Sequence, residues 1–170
     1  MVIGSKNDTV NRLSGLIRAT LVPESRNQEN PEFCDKDLVR CNSNLYNDDY
    51  EILRGTPGVV MIQKQLAIQK EVERFVIFEN NGNPELVDKN LELEFNYAIS
   101  CHKAQGSEAD HVVFVLENHV CAPLHKRNLL YTAMTRAKKT LTIIGPMDVL
   151  QYMVTNEPVK RCTTMHEHFL

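Results

Sequence analysis

The segment from Tyr97 to Gly145 constrains the fold more than any other part of this chain. Residues 112–116 (VVFVL) form a continuous apolar run, which is typical of a strand buried on both faces. A helical pattern follows, and residues 140–144 (TLTII) then predict a second strand. Because strands joined through a helix are parallel, the segment predicts an α/β domain with a mostly parallel sheet whose faces are covered.

The helix between these strands is predicted to be amphipathic. Its apolar side is formed by Leu129, Leu130, Ala133, Met134 and Ala137, and its polar side by Thr132, Thr135, Arg136 and Lys139. An arginine on the polar side can reach across a cleft to a phosphate, where such a group is worth ~10³–10⁵ in the rate of phosphoryl transfer. It can equally stabilise the helix C-terminus together with Lys138 and Lys139. Arg136 taken alone leaves both interpretations open.

A polar loop precedes the buried strand. Residues 97–100 (YAIS) predict a strand, and residues 102–110 a loop at its carboxyl end, where ligands bind to parallel sheets. Within this loop Gly106 would let a ligand approach the backbone closely, beside the amide of Gln105 and the carboxylate of Glu108. A tight strand connection with solvated side chains would have the same composition, so the loop alone is a weak signal.

His102 and Lys103 add hydrogen-bond donors to the same loop, and they suit a phosphate or a stacked base. Cys101 and His102 are adjacent in what the pattern predicts to be extended chain, where neighbouring side chains point to opposite faces. We therefore do not expect them to form a thiol–imidazole catalytic pair.

The first residues of the chain predict a strand, a turn and a helix. Val2 and Ile3 are apolar, residues 4–7 (GSKN) have turn chemistry, and Asp8 or Thr9 can cap a helix. The helix is predicted from apolar residues at helical spacing, which are Val10, Leu13, Ile17 and Leu21.

Residues 38–93 carry a different pattern. Strand-sized apolar pieces recur there, namely LVRC, GVVMIQ, RFVIF and PELV. Turn chemistry is strong at residues 55–58 (GTPG) and 80–83 (NNGN). This spacing predicts a small β-barrel inserted into the larger domain, reached through a polar loop at residues 23–37.

Charge is distributed unevenly along a chain whose net charge is -3. Residues 97–145 contain six Lys and Arg but three Asp and Glu, so this segment is +3 and the remainder -6. A local basic surface on an acidic protein suits an anionic partner that is met at one face. A solvated helix face can carry the same excess, so charge alone does not choose between the two.

The five cysteines include no C-x-x-C pair, which favours reduced thiols and an intracellular location. No apolar run approaches the ~18–20 residues of a membrane span, and the polar N-terminus lacks the pattern of a signal peptide. We expect a soluble protein without a membrane partner. Cys162, His166 and His168 lack a fourth ligand nearby, so we expect no metal site of the protein's own.

Two motifs in the central segment, separated by residues 109–128, resemble those of a known family. YAISCHKAQGSE is similar to motif V of superfamily 1 helicases of the RecD type, and LLYTAMTRAKKTLTIIG is similar to their motif VI. VIGSKNDTVNRLSGLI resembles motif IV, at the start of the second RecA-like domain. The pieces DKDLVRCNSN, TPGVVMIQ and RFVIFEN resemble the SH3-like barrel inserted in that domain, and Arg161 to Leu170 resembles the closing segment.

The resemblance implies an α/β RecA-like fold, related to P-loop NTPases, with a parallel sheet and an inserted small SH3-like β-barrel. Residues 1–33 would form the first part of the second RecA-like domain, residues 34–94 the barrel, residues 95–156 the remainder with motifs V and VI, and residues 157–170 a C-terminal tail.

The resemblance also implies the functional residues. Arg136 occupies the position of the arginine that contacts the γ-phosphate of ATP and so acts in catalysis. Gln105, Gly106 and Glu108 would line the nucleotide side of the cleft with it. The residues expected to meet single-stranded DNA are Asn7, Ser100, His102 and Lys103.

The phosphate-binding lysine and the magnesium-binding acid of the family have no counterpart here. The chain contains no Gly-Lys pair, so it has no phosphate loop of the G-x-x-x-x-G-K-[ST] type. The strand ending at Leu116, followed by Glu117 and Asn118, comes after motif V and is not expected to bind magnesium. We expect the first motor domain to be absent, and ATP and Mg²⁺ to bind only when one completes the site.

The chain is therefore expected to be the C-terminal motor half of an ATP-dependent DNA helicase, with 5′-to-3′ polarity implied by the resemblance alone. Its partners would be single-stranded DNA and a first RecA-like domain, in the same or a separate polypeptide. A single-strand-binding module without turnover and a truncated remnant of a helicase both remain alternatives. For the helicase, a role with DNA in replication, repair or recombination is expected.

Overall fold

A computed structural model describes residues 1–23, 33–46, 51–63, 73–78, 84–86, 91–120 and 123–157. The helices in this part of the chain are α1 (Asn7–Leu21), α2 (Arg127–Met134) and α3 (Met147–Thr155). The strands are β1 (Val2–Gly4), β2 (Leu38–Cys41), β3 (Leu45–Tyr46), β4 (Glu51–Ile52), β5 (Pro57–Gln63), β6 (Glu73–Phe78), β7 (Pro84–Leu86), β8 (Leu93–Phe95), β9 (Ile99–Ser100), β10 (Ala109–Val115) and β11 (Ala137–Ile144).

The predicted parallel sheet is present, with its strands in the order β11-β10-β1-β9. Every pairing in it is parallel. Gly4 at the end of β1 lies opposite both Ser100 of β9 and Val115 of β10. The carboxyl ends of these three strands therefore meet at one edge of the sheet.

The core of this sheet lies against α2 and α3. Ile3, Val112 and Phe114 are fully or almost fully buried, and they pack with apolar residues of both helices, which are Leu129, Leu130, Ala133, Val149 and Met153. Burial of apolar surface of this kind stabilises by ~25 cal/mol per Å². On β11 the alternate residues Thr140, Thr142 and Ile144 are exposed, so the expected cover on both faces is not met at this strand within the described residues.

α2 is shorter than the sequence pattern predicts. It ends at Met134, Thr135 and Arg136 form a turn, and Ala137 is already the first residue of β11. The prediction that Arg136 and Lys139 lie on a helix face was therefore wrong, as was the burial of Met134, which is 48% exposed. Pairing with β10 extends the strand backwards, because Ala137 lies opposite Ala109.

α1 also differs from its prediction. The helix begins at Asn7, after the N-cap residue Lys6, and no side chain caps it. The hydroxyl of Thr9 donates to Glu117 Oε1 at 2.7 Å instead. Its buried residues are Ser14 and Arg18, while Leu21 is exposed, because α1 also packs against the polar junction described below.

Residues 38–95 contain a second, antiparallel sheet in the order β7-β6-β5-β2-β8, and β3 and β4 form a separate hairpin. The sheet and the hairpin share one buried core, which consists of Val39, Cys41, Ile52, Val60, Val76 and Phe78. The predicted strands LVRC, GVVMIQ, RFVIF and PELV are thus confirmed with small shifts in their ends. Closure into an SH3-like barrel and the four domain boundaries stay predictions, and the turn at 80–83 lies outside the described residues.

A buried polar junction fastens α1 to the start of the antiparallel sheet. The Arg18 guanidinium donates to both oxygens of Asp37, at 2.9 Å from Nε to Oδ1 and 2.7 Å from Nη2 to Oδ2. Asp37 also accepts from the backbone N–H of Cys34 at 2.7 Å and the hydroxyl of Tyr97 at 2.6 Å. The ring of Phe95 lies 4.2 Å from the guanidinium carbon. Burial lowers the pKa of Arg18, but the hydrogen bond to Asp37 and the attraction of nearby groups, chiefly the Asp37 carboxylate, together outweigh burial and raise that pKa.

Two segments discussed in the sequence analysis lie wholly or mostly outside the described residues. The tail from residue 158 onward, with Cys162, His166 and His168, lies outside the described residues, as does most of the loop predicted at 23–37. Among the residues that are described, no helix has the length and apolar character to cross a membrane.

Candidate functional site

The loop after β9 is a compact turn. β9 comprises Ile99 and Ser100 alone rather than the whole predicted strand 97–100, and residues 101–106 turn back on it. The Ala104 N–H donates to the Ser100 carbonyl at 3.0 Å, and the Ser107 N–H to the Ala104 carbonyl at 3.1 Å. The loop is also shorter than predicted, because β10 starts at Ala109.

Gly106 has a backbone reason to be glycine. Its φ of 85° lies in the left-handed region that side chains disfavour. Apart from Gly106 itself and its two chain neighbours, no described residue has an atom within 4 Å of where a Cβ would stand. Within this chain the turn, rather than a close approach of other atoms, therefore accounts for the glycine.

The Arg136 guanidinium is held in place by three hydrogen bonds. Nε donates to the Thr132 carbonyl at 3.1 Å, Nη1 to the Ser107 carbonyl at 3.2 Å and Nη2 to the Thr135 hydroxyl at 3.0 Å. The backbone reinforces the contact with the loop, since the Ala109 N–H donates to the Arg136 carbonyl at 3.0 Å. Because guanidinium carries several N–H groups in a planar fork, these bonds orient it while leaving further donors for an anion.

Acidic side chains beside Arg136 are paired with the basic residues of β11. Glu108 Oε2 lies 3.4 Å from Lys138 Nζ, and Asp110 Oδ2 lies 2.5 Å from Lys139 Nζ. All four side chains are about half exposed or more. Exposed pairs contribute little to stability, but they neutralise part of the basic excess that the sequence shows in this segment.

The predicted residues fall into two groups in space. Glu108 and Arg136 directly precede β10 and β11, whose first residues are paired, so both lie where these strands begin. Asn7 and Ser100 lie where β1 and β9 end. The expectation that the entire loop sits at the carboxyl ends of the strands was therefore wrong. The loop starts at that edge, and its last residues approach the opposite one.

Asn7, Ser100 and Lys103 line one groove of about 580 Å³. The groove runs between α1 and β9 and is also lined by residues of the junction, including Arg18 and Phe95. Asn7 is exposed, whereas Ser100 is 7% exposed and its hydroxyl oxygen accepts from the Lys103 N–H at 3.4 Å. Three of the four predicted strand-contacting residues are thus brought together, and His102 is exposed on the adjoining turn.

A second groove, of about 380 Å³, continues from the first. It is lined by Arg40, Asn42, Arg54 and Gly55 from the antiparallel sheet and its loops, and by Gln105 and Ser107 from the turn. Glu94 and Lys103 line both grooves. Gln105 therefore faces the antiparallel sheet, and no hydrogen bond between Gln105 and Arg136 is found among the described residues.

Cys101 is not a nucleophile in this environment. Its side chain is fully buried, and Sγ lies 3.6 Å from the Leu129 carbonyl. Burial raises the pKa of the thiol to about 11, although the charge of Arg136 acts in the opposite direction. The thiol is therefore protonated near neutral pH. Cys101 and the exposed His102 lie in a turn rather than in the extended chain that the sequence predicted.

No group of three or more His, Cys, Asp or Glu side chains that could hold a metal ion occurs among the described residues. The Arg136 guanidinium offers N–H donors at this site. Such donors suit a phosphate oxygen, and a magnesium ion would need oxygen ligands.

Most of the site residues described above lie within one segment that matches a known family. The pattern of the UvrD-like helicase C-terminal domain matches residues 95–144. These residues form a UvrD-like helicase C-terminal domain. The motif resemblance to superfamily 1 helicases is thereby confirmed.

The sequences similar to this chain include RecD-type proteins. The ATP-dependent RecD2 DNA helicase of Deinococcus radiodurans is 34% identical over 133 residues, which is 77% of this chain and 17% of that protein. RecD, a subunit of the RecBCD enzyme of Haemophilus influenzae, is 36% identical over 81 residues, which is 47% of this chain and 12% of that subunit. The chain therefore spans less than a fifth of the length of these curated relatives.

Solved helicases share the fold. The Pif1 helicase from Bacteroides, in complex with ADP-AlF3 and ssDNA, aligns over 99% of this chain and 44% of its own with a TM-score of 0.59 at 15% identity. Pif1 from Candida albicans aligns over 89% of this chain and 48% of its own with a TM-score of 0.53 at 14% identity. At these identities the likeness concerns the fold, and it agrees with the parallel-sheet architecture.

The UvrD-like domain contains seven of the eight predicted site residues, and Asn7 precedes it. The sequence analysis did not identify the residues that pair with Lys103 or lie next to that pair. Glu94 forms an ion pair with Lys103, and Arg40 lies beside it. These partners are distant along the chain or belong to no motif, so no local pattern marks them.

Glu117 lies just after strand β10 of the UvrD-like domain. The sequence analysis considered it only as a magnesium ligand and did not expect that role. In the structure its carboxylate accepts from the hydroxyls of Ser5 and Thr9 and contacts His125 Nε2 at 2.8 Å. All of these partners come from other elements. Glu117 thus ties the end of β10 to α1 and to the segment before α2.

Proposed function

We propose that this chain is the second motor domain of an ATP-dependent DNA helicase, supplying an arginine finger and part of the single-strand grip. The observation that carries the proposal is the preset guanidinium of Arg136, which is bonded both to its own helix end and to the Ser107 carbonyl of the motif V loop. The 5′-to-3′ polarity rests on the resemblance to RecD-type helicases alone.

Arg136 is suited to a γ-phosphate held by a separate domain. Its planar fork can form charge-assisted hydrogen bonds with two phosphate oxygens, and lysine cannot reproduce that geometry. The bonds to Thr132, Ser107 and Thr135 restrict its rotamers before nucleotide arrives, so less entropy is lost on binding. Glu108 and its ion pair with Lys138 would flank the same side of the cleft.

The chain does not carry the other half of this chemistry. Phosphoryl transfer depends on a backbone cradle, a lysine and a magnesium ion that position the phosphates, and the sequence has no phosphate loop. We therefore propose that ATP and Mg²⁺ are held by a first RecA-like domain, and that Arg136 completes the site when the two domains close.

The groove between α1 and β9 would take the single strand. Asn7 and Asn11 offer neutral donors at its rim and Lys103 offers a cation, which suits sequence-independent contact with a sugar-phosphate backbone. His102 is exposed beside the groove and can stack on a base.

The turn from Ser100 to Ser107 would couple the two sites. It begins in the strand groove and ends on the guanidinium of Arg136, and internal hydrogen bonds make it compact. A shift of the turn when DNA binds would therefore move the carbonyl that orients Arg136. When two sites share one short, hydrogen-bonded element, binding at one site can change the affinity at the other.

A second candidate function is single-strand binding without turnover. The observation that favours it is that the groove is lined by residues of α1, of β9 and of the turn that follows β9, and that Arg136 is not among its lining residues. Under this alternative, Arg136 has no role beyond its contacts to Thr132, Ser107 and Thr135.

The test compares ATP hydrolysis with and without a first RecA-like domain. The purified chain should not hydrolyse ATP even with single-stranded DNA, and a first RecA-like domain, fused or added in trans, should restore DNA-stimulated hydrolysis. In that assembly Arg136→Ala should lower kcat by about 10³-fold or more, with little change in DNA binding. Arg136→Lys should rescue poorly.

The matched control is Lys139→Ala, which removes an exposed cation of β11 that is paired with Asp110 and should change kcat little. Thermal melting of each variant separates lost folding from lost turnover. A near-normal kcat for Arg136→Ala would contradict the arginine-finger role. DNA-stimulated hydrolysis by the isolated chain, lost on an inactivating point change, would contradict the division into two motor halves.

A further inference from the structure

Glu94 occupies a position in the grooves that a bound anion would be expected to fill. Its two carboxylate oxygens lie 2.7 and 2.8 Å from the Lys103 ammonium, so the cation expected to meet DNA is already paired. The Glu94 side chain is 32% exposed and that of Lys103 45% exposed. The contact is therefore open to solvent and can be exchanged for another anion.

Arg40 approaches the same carboxylate from the antiparallel sheet. Its Nε lies 3.9 Å from Glu94 Oε1. That distance is too long for a hydrogen bond, and Nε has no hydrogen-bond partner in the described structure. The side chain is 9% exposed and lines the second groove. Burial lowers the pKa of Arg40, and the charge of Glu94 acts against that shift.

One carboxylate thus lies between two cations that converge on the line where the grooves meet. A buried N–H donor without a partner is costly, and an anion slightly closer to Arg40 than Glu94 would satisfy it. A phosphate diester has the charge and the oxygen donors to replace the carboxylate at Lys103 and to reach Arg40.

We propose that Glu94 is an anionic stand-in for one backbone phosphate of single-stranded nucleic acid. It holds Lys103 in the free chain and releases it when the strand enters the groove. This inference rests on the proposed strand grip. It adds Glu94 as a residue that lowers the affinity of that grip for the strand. A grip that must release and rebind during each step benefits from a contact that is replaced rather than newly formed.

The exchange has consequences for affinity and for its salt dependence. In the natural chain, Lys103 gives up Glu94 when it takes a phosphate, and the freed carboxylate then repels the strand. Glu94→Gln removes both effects, so the affinity for single strands should rise by up to roughly fivefold, since one exposed pair is worth up to ~1 kcal/mol. One more uncompensated cation should also steepen the slope of log K against log salt by about 0.7.

The experiment measures binding of a fluorescently labelled oligo(dT) to the whole chain by anisotropy at several NaCl concentrations. Glu92→Gln is the matched control, because Glu92 is exposed, lies two residues away and changes the net charge equally. The double variant Lys103→Ala with Glu94→Gln tests whether the gain in affinity from Glu94→Gln depends on Lys103. Glu94→Ala serves as a second variant, and thermal melting checks that each protein is folded.

We expect Glu94→Gln and Glu94→Ala to tighten binding more than Glu92→Gln, and Lys103→Ala to abolish most of that gain. Equal effects of the Glu92 and Glu94 variants would overturn the inference, while salt-dependent binding by the natural chain would leave the proposed grip standing. A gain that persists without Lys103 would likewise overturn it. Absence of binding by the natural chain and every variant would refute the grip, and the inference with it.

Discussion

Replacing Asp37 with alanine removes the carboxylate at the centre of the junction between α1 and the antiparallel sheet. Asp37 is fully buried and accepts hydrogen bonds from Arg18, the Cys34 backbone and the Tyr97 hydroxyl. The substitution leaves the guanidinium of Arg18, whose side chain is 9% exposed, without this carboxylate. It also removes the Asp37 oxygens to which the Cys34 N–H and the Tyr97 hydroxyl donate.

The expected loss of stability is large for one side chain. Removing one partner of a buried, bidentate ion pair costs about 3–5 kcal/mol, out of a total folding stability of about 5–15 kcal/mol. For a chain of this size the midpoint of thermal unfolding should fall by roughly 10 °C. Asp37→Asn keeps one acceptor oxygen, which can serve the Cys34 N–H or the Tyr97 hydroxyl but not both, because the two donate to different oxygens of Asp37. It also loses the charge, so its cost should be intermediate between those of the natural chain and Asp37→Ala.

Urea unfolding followed by circular dichroism measures these free energies. The matched control is Asp110→Ala, because Asp110 also pairs with a cation, Lys139, but does so on the surface. An exposed pair of this kind should contribute at most about 1 kcal/mol. If Asp37→Ala cost no more than Asp110→Ala, the argument that the buried junction fastens α1 to the antiparallel sheet would fail.

Two further predictions concern other parts of the parallel-sheet domain. Burial raises the pKa of Glu117, but the hydrogen bonds from Ser5, Thr9 and His125 outweigh it and leave that pKa below its usual 4.5. The Glu117 carboxylate therefore stabilises the folded chain fully above about pH 4.5. This stabilisation is lost as the pH falls through the lowered pKa that Glu117 has in the folded chain. Glu117→Gln should flatten this acid limb in urea midpoints measured across pH, and an unchanged limb would contradict the assignment. Gly145→Ala should destabilise the chain by about 1–3 kcal/mol, because φ is 155° and the new Cβ would stand 2.6 Å from Leu116 Cβ. A thermal midpoint equal to that of the natural chain would show that the backbone there relaxes freely.

Local patterns were sufficient where one element determines its own signal. The apolar run at 112–116 predicted a buried strand, and its parallel neighbours followed from the strand–helix–strand order. Short strands between turn residues likewise predicted the antiparallel sheet at 38–95. The motifs in residues 95–144 identified the helicase domain because their residues are contiguous in sequence.

The same patterns failed where a competing contact lies far along the chain. Helical spacing predicted that Ala137 continues α2, yet pairing with Ala109 draws it into β11. Thr9 was a plausible helix cap, but Glu117 takes its hydroxyl. Leu21 fitted the apolar stripe of α1, whereas the buried face is formed by Ser14 and Arg18.

The sequence by itself therefore determined the order of strands and helices, the parallel sheet and the family of residues 95–144, because these follow from neighbours along the chain. Only the tertiary structure decided which charges are paired. Lys103 and Arg136 looked equally available in the sequence, but Glu94 holds one, while carbonyl and hydroxyl oxygens orient the other. An ion pair or a hydrogen bond depends on distance in space, and a buried partner such as Asp37 becomes apparent only when α1 and the antiparallel sheet meet around it.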